Sequence, residues 1–167
     1  MKIVFVLFFA TLAFIGCSKK SGEDYLKSAD ENLKNNKALE AVSDYENFVK
    51  EYPKNEKAPE TLTKLASIYQ NNMINNLSVK ESLEKAAKIY RQVFESYPNS
   101  KEAPSSLFMS AFILANELKK YHAAEASYQL FLQKYPNHEL AASAREELNN
   151  LGLSPEQILK NKNTPNT

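Results

Sequence analysis

Apolar and small side chains recur at intervals of three and four residues in three separate segments of the chain. In each segment an alanine is followed four positions later by a tyrosine, then by Phe or Val, and finally by Tyr-Pro. The segments are 41–53, 86–98 and 124–136. This spacing places the recurring side chains on one face of a helix, and a proline disfavours helical backbone in the residue before it. The pattern therefore predicts three amphipathic helices that each end at Tyr-Pro.

A second set of helices is predicted between these segments, at about 23–35, 59–73 and 104–119. Each carries an alanine in a comparable place, and so small a side chain lets a neighbouring helix approach closely. We expect the recurring alanines and tyrosines to pack where helices meet. These predicted packing residues are Ala29, Ala41, Tyr45, Ala66, Ala86, Tyr90, Ala111, Ala124 and Tyr128.

The middle helix pair is longer than the other two. Its two marker alanines, Ala66 and Ala86, are 20 residues apart, whereas the spacing is 12 in the first pair and 13 in the third. The extra residues, about eight, fit best in the polar stretch 70–78. We expect either a longer loop or a helix extension there.

The C-terminal part is expected to close the array. Residues 139–150 predict one unpaired helix whose inward-facing side chains are Ala141, Ala144 and Leu148. A terminal element with a polar outer face is what a stack of helix pairs needs. Ser154-Pro155 then predicts a short helix to Leu159, since these residues suit a helix start. The polar tail, 160–167, is expected to be disordered.

The repeated unit resembles the tetratricopeptide repeat, through the small residue in its first helix, the Ala-aromatic pair in its second and the closing proline. The resemblance covers about 22–150 and implies an all-α solenoid of three helix pairs with a C-terminal capping helix. The solenoid would span 23–153, with units 23–57, 58–102 and 103–140 and a cap at 139–150. The Tyr-Pro ending is similar to the form found in BamD-like outer-membrane assembly lipoproteins and in Tol-Pal-associated periplasmic repeat proteins.

The first residues resemble an export signal. Lys2 precedes a short apolar run that is too short to cross a bilayer and ends at Gly16-Cys17. The ending resembles a bacterial lipobox, although Phe14 stands where Leu is usual. That resemblance implies a signal peptide over 1–16, lipidation (palmitate) of Cys17 and a tether over 17–22. Ser18 in place of Asp favours the outer membrane, on its periplasmic side. The alternative is an ordinary signal peptide.

Composition excludes several kinds of site. The 21 Lys+Arg nearly balance the 20 Asp+Glu, whereas a nucleic-acid binder needs basic excess on one face. Three glycines form no phosphate-binding loop, and one cysteine allows no intrachain disulfide. The two histidines, His122 and His138, are expected in surface turns. We therefore expect no enzyme activity, no cofactor, no metal site, no nucleic-acid partner and no small-molecule substrate.

The resemblance implies that the first helix of each unit lines a concave groove for a peptide or protein. By register these groove residues are Leu26, Asp30, Leu33, Lys34, Thr63, Ser67, Gln70, Asn71, Phe108, Phe112 and Asn116. An alternative for Phe108 and Phe112 is burial against Tyr128 and the final helix.

The expected function is a protein-interaction scaffold in the bacterial envelope, anchored to the membrane by lipid. Its expected partners are the outer-membrane β-barrel assembly machinery or, alternatively, Tol-Pal components of the cell-division apparatus. Two other classes are weighed against it. One is an envelope enzyme with no recognisable site. The other is an RNA-binding solenoid in which Tyr45, Tyr90 and Tyr128 would stack on bases.

Overall fold

A computed structural model describes residues 20–163, which form eight α-helices and one π-helix. In chain order these are α1 (Gly22–Lys34), α2 (Ala38–Glu51), α3 (Ala58–Gln70), α4 (Val79–Ser96), α5 (Ala103–Phe112), the π-helix (Ile113–Glu117), α6 (Tyr121–Lys134), α7 (Ala141–Asn149) and α8 (Pro155–Asn163). The predicted signal peptide 1–16, Cys17 and the tail 164–167 lie outside the described residues. Within 20–163 no helix is both long and apolar enough to span a membrane.

From α1 to α7, each helix packs mainly against the helices before and after it in the chain. The first pair is α1–α2, the second α3–α4, and the third is α5 with the π-helix against α6. We call the contact between the first and second pairs the first joint, and that between the second and third pairs the second joint. The fold is therefore an all-α solenoid of three helix pairs followed by α7 as a cap.

The predicted packing residues lie at the contacts between helices. Ala29, Ala66 and Ala111 are fully buried in the first helices of the three pairs. Their counterparts in the second helices are also buried: Ala41, Ala86, Ala124, Tyr45, Tyr90 and Tyr128. The core has two clusters, one in the first two pairs together with Ile113 and one in the third pair and α7, and Met109 and Leu114 pack against both.

The starts of α1, α3 and α4 each have a local chemical cause. Ser21 caps α1 through a capping box with Asp24, and Ser78 caps α4 in the same way with Glu81. These boxes satisfy backbone N–H groups that have no partner in the first turn. Helix α3 instead carries a proline in its first turn, Pro59, where the missing N–H costs nothing.

The insertion in the second pair is both a loop and a helix extension. Residues 71–78 separate α3 from α4, and α4 has 18 residues where α2 and α6 have 14. Ile74 is 2% exposed and so anchors the loop in the core. Helix α3 stops at Gln70 rather than at the predicted residue 73, because Asn72 adopts a left-handed backbone with φ of 53°.

The first helix of the third pair, predicted at about 104–119, is a regular α-helix only from Ala103 to Phe112. After Phe112 the chain forms a π-helix, in which the Leu118 N–H donates to the Ile113 carbonyl. The third pair has one residue more between its marker alanines than the first pair, 13 against 12. The wider π turn accommodates that extra residue while the buried face of the helix stays in register.

The C-terminal helix is longer than predicted. Helix α8 continues to Asn163, whereas the sequence pattern placed its end at Leu159 and disorder from residue 160. Ser154 and Gln157 explain a stable start. The Gln157 side chain accepts from the Ser154 N–H at 2.7 Å, and the Ser154 hydroxyl accepts from the Gln157 N–H at 3.4 Å. These bonds satisfy backbone N–H groups at the start of the helix, and Ile158 of α8 is half-buried beside the π-helix and α7.

Candidate interaction surfaces

The predicted concave positions lie on the first helices of successive pairs, α1, α3 and α5 with its π-helix. Asp30 on α1 accepts a short hydrogen bond from the Tyr45 hydroxyl, and its carboxylate lies 3.4 Å from the Lys64 ammonium group on α3. Burial, followed by the hydrogen bond to Asp30, raises the pKa of Tyr45. Asp30 therefore links the first pair to the second.

Other predicted groove residues of the first pair divide between core and surface. Leu26 and Leu33 are half-buried and pack against the first core cluster, whereas Lys34 is exposed at the end of α1. Only Lys34 of these three offers its whole side chain to a partner.

The predicted groove residues of α3 are polar and mostly bound within the chain. The Thr63 hydroxyl donates to the Pro59 carbonyl at 3.0 Å, and Asn71 donates to the Ser67 carbonyl at 2.9 Å. The Tyr90 hydroxyl donates to the Gln70 side-chain oxygen at 2.8 Å. These residues tie turns and helices together, and a partner would have to bind to the polar atoms that remain.

In the third pair the two predicted phenylalanines form part of an aromatic cluster. Phe108 is 9% exposed, and its ring meets Tyr128 and Phe131 edge-on at centroid distances of 5.7 and 5.8 Å. Phe112 stacks on Phe108 at 6.4 Å and is half-buried. Phe108 therefore serves packing, as the alternative interpretation had it, while one side of Phe112 remains accessible.

Asn116, the last predicted groove residue, is exposed on the π-helix and donates to the Glu147 carboxylate of α7 at 2.9 Å. It borders a small polar pocket of about 170 Å³ that also includes Tyr121, Gly152 and Ile158. The π-helix, α7 and α8 meet around this pocket. Asn116 thus contributes to the closure of the C-terminal end.

A larger surface feature lies at the first joint, and its residues were not among those predicted. We call it the first-joint groove. It has a volume of about 560 Å³ and is lined by Glu46, Val49, Lys50, Pro53, Leu62, Leu65, Ile89, Gln92, Ser96 and Tyr97. Its floor is apolar, because Leu62 and Leu65 of α3 lie at its base, each 3% exposed. A position-by-position comparison of the repeats would have indicated this groove, because the small Val49 stands in the first repeat where Phe94 stands in the second.

Neither histidine lies in a group that could hold a metal. Among the described residues no cluster of three or more His, Cys, Asp or Glu side chains has suitable geometry. His138 is half-buried, its ring meets Phe131 edge-on at 5.7 Å, and its Nδ1 accepts from the Leu140 N–H at 3.1 Å. His122 is exposed at the start of α6.

Two segments of the chain, 60–100 and 105–138, match the tetratricopeptide repeat family. They correspond to most of the second and third helix pairs. No curated protein matches the sequence closely enough to identify a relative. Proteins built from this repeat are generally non-enzymatic scaffolds for protein–protein interaction. The chain is thus an α-solenoid of the tetratricopeptide-repeat type, with two repeats that match the family directly.

Proposed function

We propose that the chain is a non-enzymatic scaffold lipoprotein of the bacterial envelope, held by a lipid on Cys17 at the periplasmic face of the outer membrane. There it assists outer-membrane protein assembly, in the manner of BamD-like lipoproteins. The observation that carries the proposal is the helix pair closed by Tyr-Pro, repeated three times. That form of the repeat resembles the envelope proteins rather than the plain repeat.

The architecture supports a scaffold because stacked helix pairs expose long, continuous faces. Each pair contacts mainly its neighbours, so the surface grows with the number of repeats. The groove at the first joint combines an apolar floor with charged residues at its border. A fully desolvated apolar patch with a polar border is typical of protein interfaces.

The start of the described chain supports a defined orientation on the membrane. The Tyr52 hydroxyl donates to the Lys20 carbonyl at 3.0 Å, and the Lys20 ammonium group lies 2.8 Å from Asp44. Lys20 is therefore fixed to the edge of the solenoid where the Tyr-Pro turns lie. Cys17 precedes it by three residues, which span no more than about 11 Å when extended. A lipid on Cys17 would hold this edge close to the membrane surface.

Metabolic labelling tests the lipid anchor. Cells expressing the full chain are grown with labelled palmitate, and the label is expected on the wild type and on a Ser18→Ala control. Cys17→Ala should lose the label and leave the membrane fraction, because stable anchoring needs the acyl chains. Unchanged labelling of Cys17→Ala would contradict the anchor.

Affinity purification from detergent-solubilised envelope tests the pathway. Recovery of a β-barrel assembly protein with the wild type, in stoichiometric amount, supports the assembly role. Recovery of Tol components in its place would support the alternative, a Tol-Pal adaptor in cell division. Recovery of neither would leave the envelope role without support and would count against both.

A further inference from the structure

The two joints of the solenoid are built on the same positions but are filled differently. In the second joint the half-buried Phe94 of α4 meets the Tyr135 ring edge-on, with a centroid distance of 6.2 Å and an interplanar angle of 82°. Phe94 precedes Tyr97 by three residues, and Val49 precedes Tyr52 by the same number. Val49 thus occupies, in the first joint, the position that Phe94 occupies in the second.

An arginine accompanies Phe94 in the filled joint. The Arg91 guanidinium carbon lies 5.9 Å from the centre of the Phe94 ring, and Arg91 also donates to the Ser127 hydroxyl at 3.3 Å. Arg91 pairs with Glu95, one turn further along α4, at 2.7 Å. Phe94 and Arg91 therefore contact the third pair directly, and Glu95 pairs with Arg91 on the same helix.

The first joint lacks this filling and is open. Val49 and Tyr97 border the first-joint groove, where the corresponding residues of the second joint, Phe94 and Tyr135, are in contact. The groove volume of about 560 Å³ lies within the range of ligand pockets. Its floor of Leu62 and Leu65 suits an apolar side chain, since burying a large one contributes about 1.5–3 kcal/mol.

The charges at the border of the open groove are reversed relative to the filled joint. Glu46 stands in the position of Arg91, and Lys50 stands in the position of Glu95. Both line the first-joint groove. An incoming segment with the arrangement Arg-x-x-Phe-Glu would therefore bring its arginine to Glu46 and its glutamate to Lys50, while its phenylalanine enters the groove.

We propose that the first-joint groove binds a helical segment of a partner protein that presents a phenylalanine with an arginine or lysine three residues before it. The aromatic side chain fills the space that Phe94 fills in the second joint. The basic side chain pairs with Glu46, and a following acidic residue pairs with Lys50. This inference rests on the proposed scaffold function and specifies which surface of the scaffold takes the partner and by what chemistry.

Methyl NMR of the purified full chain tests the groove with two synthetic probes. Both are 12-residue alanine-based helical peptides that contain one Phe. The residue three positions before that Phe is Arg in one peptide and Glu in the other. The Arg peptide is expected to shift the methyl resonances of Val49, Leu62, Leu65 and Ile89. The Glu peptide should bind about two- to fivefold more weakly, the value of an exposed ion pair. No shift at millimolar peptide, or shifts spread over the whole chain, would overturn the proposal.

Variants locate the binding. Val49→Phe fills the groove from within. The variant should therefore bind the Arg peptide about tenfold or more weakly than the wild type, as after the loss of a central anchor residue. The matched control, Phe94→Leu, alters the other joint and should bind as the wild type does. Glu46→Arg changes an exposed side chain, so the fold is retained, and the variant should prefer the Glu peptide. Equal binding by Val49→Phe and wild type would overturn the proposal.

Sedimentation equilibrium distinguishes a partner peptide from a second copy of the chain. The wild type is expected to be monomeric at the concentration of the titration. A wild-type dimer that Val49→Phe converts to monomer would show that another copy fills the groove, which would overturn the proposal. The titration uses protein in solution, so its failure leaves the lipid-labelling and envelope-purification results unaffected.

Discussion

The Tyr97 hydroxyl donates a hydrogen bond of 2.8 Å to the backbone carbonyl of Pro53, 44 residues earlier in the chain. The end of the second helix pair is thereby tied to the end of the first. The same contact recurs at 3.4 Å between Tyr135 and Pro98, and Tyr52 makes it at 3.0 Å to the Lys20 carbonyl. Tyr97 and Tyr135 therefore connect successive units, whereas Tyr52 holds the residue that precedes the capping serine of α1.

Replacing Tyr97 by phenylalanine tests the contribution of this contact to stability. Tyr97→Phe keeps the ring and removes only the hydroxyl, so it should lower the free energy of unfolding by about 0.5–1.5 kcal/mol. Tyr135→Phe is the matched control, and it should cost less than about 0.5 kcal/mol because its bond is longer. Urea denaturation measures both. An equal loss of stability in the two variants would show that the length of the hydroxyl hydrogen bond does not determine its contribution.

The sequence pattern predicted the helix ends at Tyr-Pro but could not predict the tyrosine contacts. A proline restricts the residue beside it, so the end of α4 follows from local sequence. The partner of the Tyr97 hydroxyl depends on how one unit lies on the next, and periodicity carries no information about that geometry. The open first joint was missed for the same reason, since Val49 matters only through its comparison with Phe94.

The helix-to-helix turns of the three pairs each contain a residue with left-handed backbone: Asn36, Asn72 and Lys119, with φ of 57°, 53° and 55°. Asparagine tolerates this conformation, whereas lysine is strained there by its Cβ. Lys119→Gly should therefore raise the free energy of unfolding by about 0.5–1 kcal/mol. Thermal unfolding gives the measurement. Lys119→Ala retains the Cβ and should show no gain; a gain equal to that of glycine would contradict the explanation by strain.

The π-helix illustrates what spacing alone leaves open. The sequence shows one extra residue between Ala111 and Ala124. A longer loop between the helices would accommodate it, and so would a wider turn within the helix, so the spacing does not distinguish the two. The structure places the extra residue before Lys119, because the stretch from Lys119 to Ala124 is as long as that from Asn36 to Ala41. The packing of the buried side chains on both sides of the extra residue determines whether a longer loop or a π-helix forms.

Deleting one residue from the π-helix should therefore be tolerated. Removal of the exposed Glu117 restores the spacing of the first pair, so the variant should unfold cooperatively and lose less than about 2 kcal/mol of stability. Removal of Ser67 from α3 is the control, because it rotates the buried Ile68 and Tyr69 away from the core. Each such side chain contributes about 1.5–3 kcal/mol. Circular dichroism during urea unfolding should show a much larger loss for the control, and comparable losses would contradict this account.

Within residues 20–163 no helix pair precedes the first one, and the outer face of α1 carries polar side chains. Ser28 and Asn32 of α1 occupy the positions of Leu65 and Tyr69 in α3, which face the preceding pair. Both side chains donate to the Asp44 carboxylate, the Ser28 hydroxyl at 2.6 Å and the Asn32 amide at 3.1 Å. This polar cluster closes the N-terminal end of the described solenoid, as α7 closes the other.

The Asp44 cluster predicts a pH dependence of stability. Burial alone would raise the pKa of Asp44, but hydrogen bonds from Lys20, Ser28 and Asn32, with the charge of Lys20, hold the pKa below its ordinary value of 3.8. A carboxyl whose pKa is lower in the folded state stabilises the protein above its unfolded pKa, and the contribution is lost as the pH falls through the folded pKa. The contribution of Asp44 is therefore present at neutral pH and declines from about pH 5 downward.

Asp44→Asn tests this dependence, because the amide keeps the shape and does not titrate. At pH 7 the variant should be about 1–2 kcal/mol less stable, since hydrogen bonds to a charged group are lost. The difference from the wild type should shrink as the pH falls below about 5, where the wild-type carboxylate takes up its proton. Urea unfolding at several pH values from 7 to 2.5 gives both curves. A difference that stays constant over this range would mean that the charge of Asp44 does not stabilise the N-terminal end.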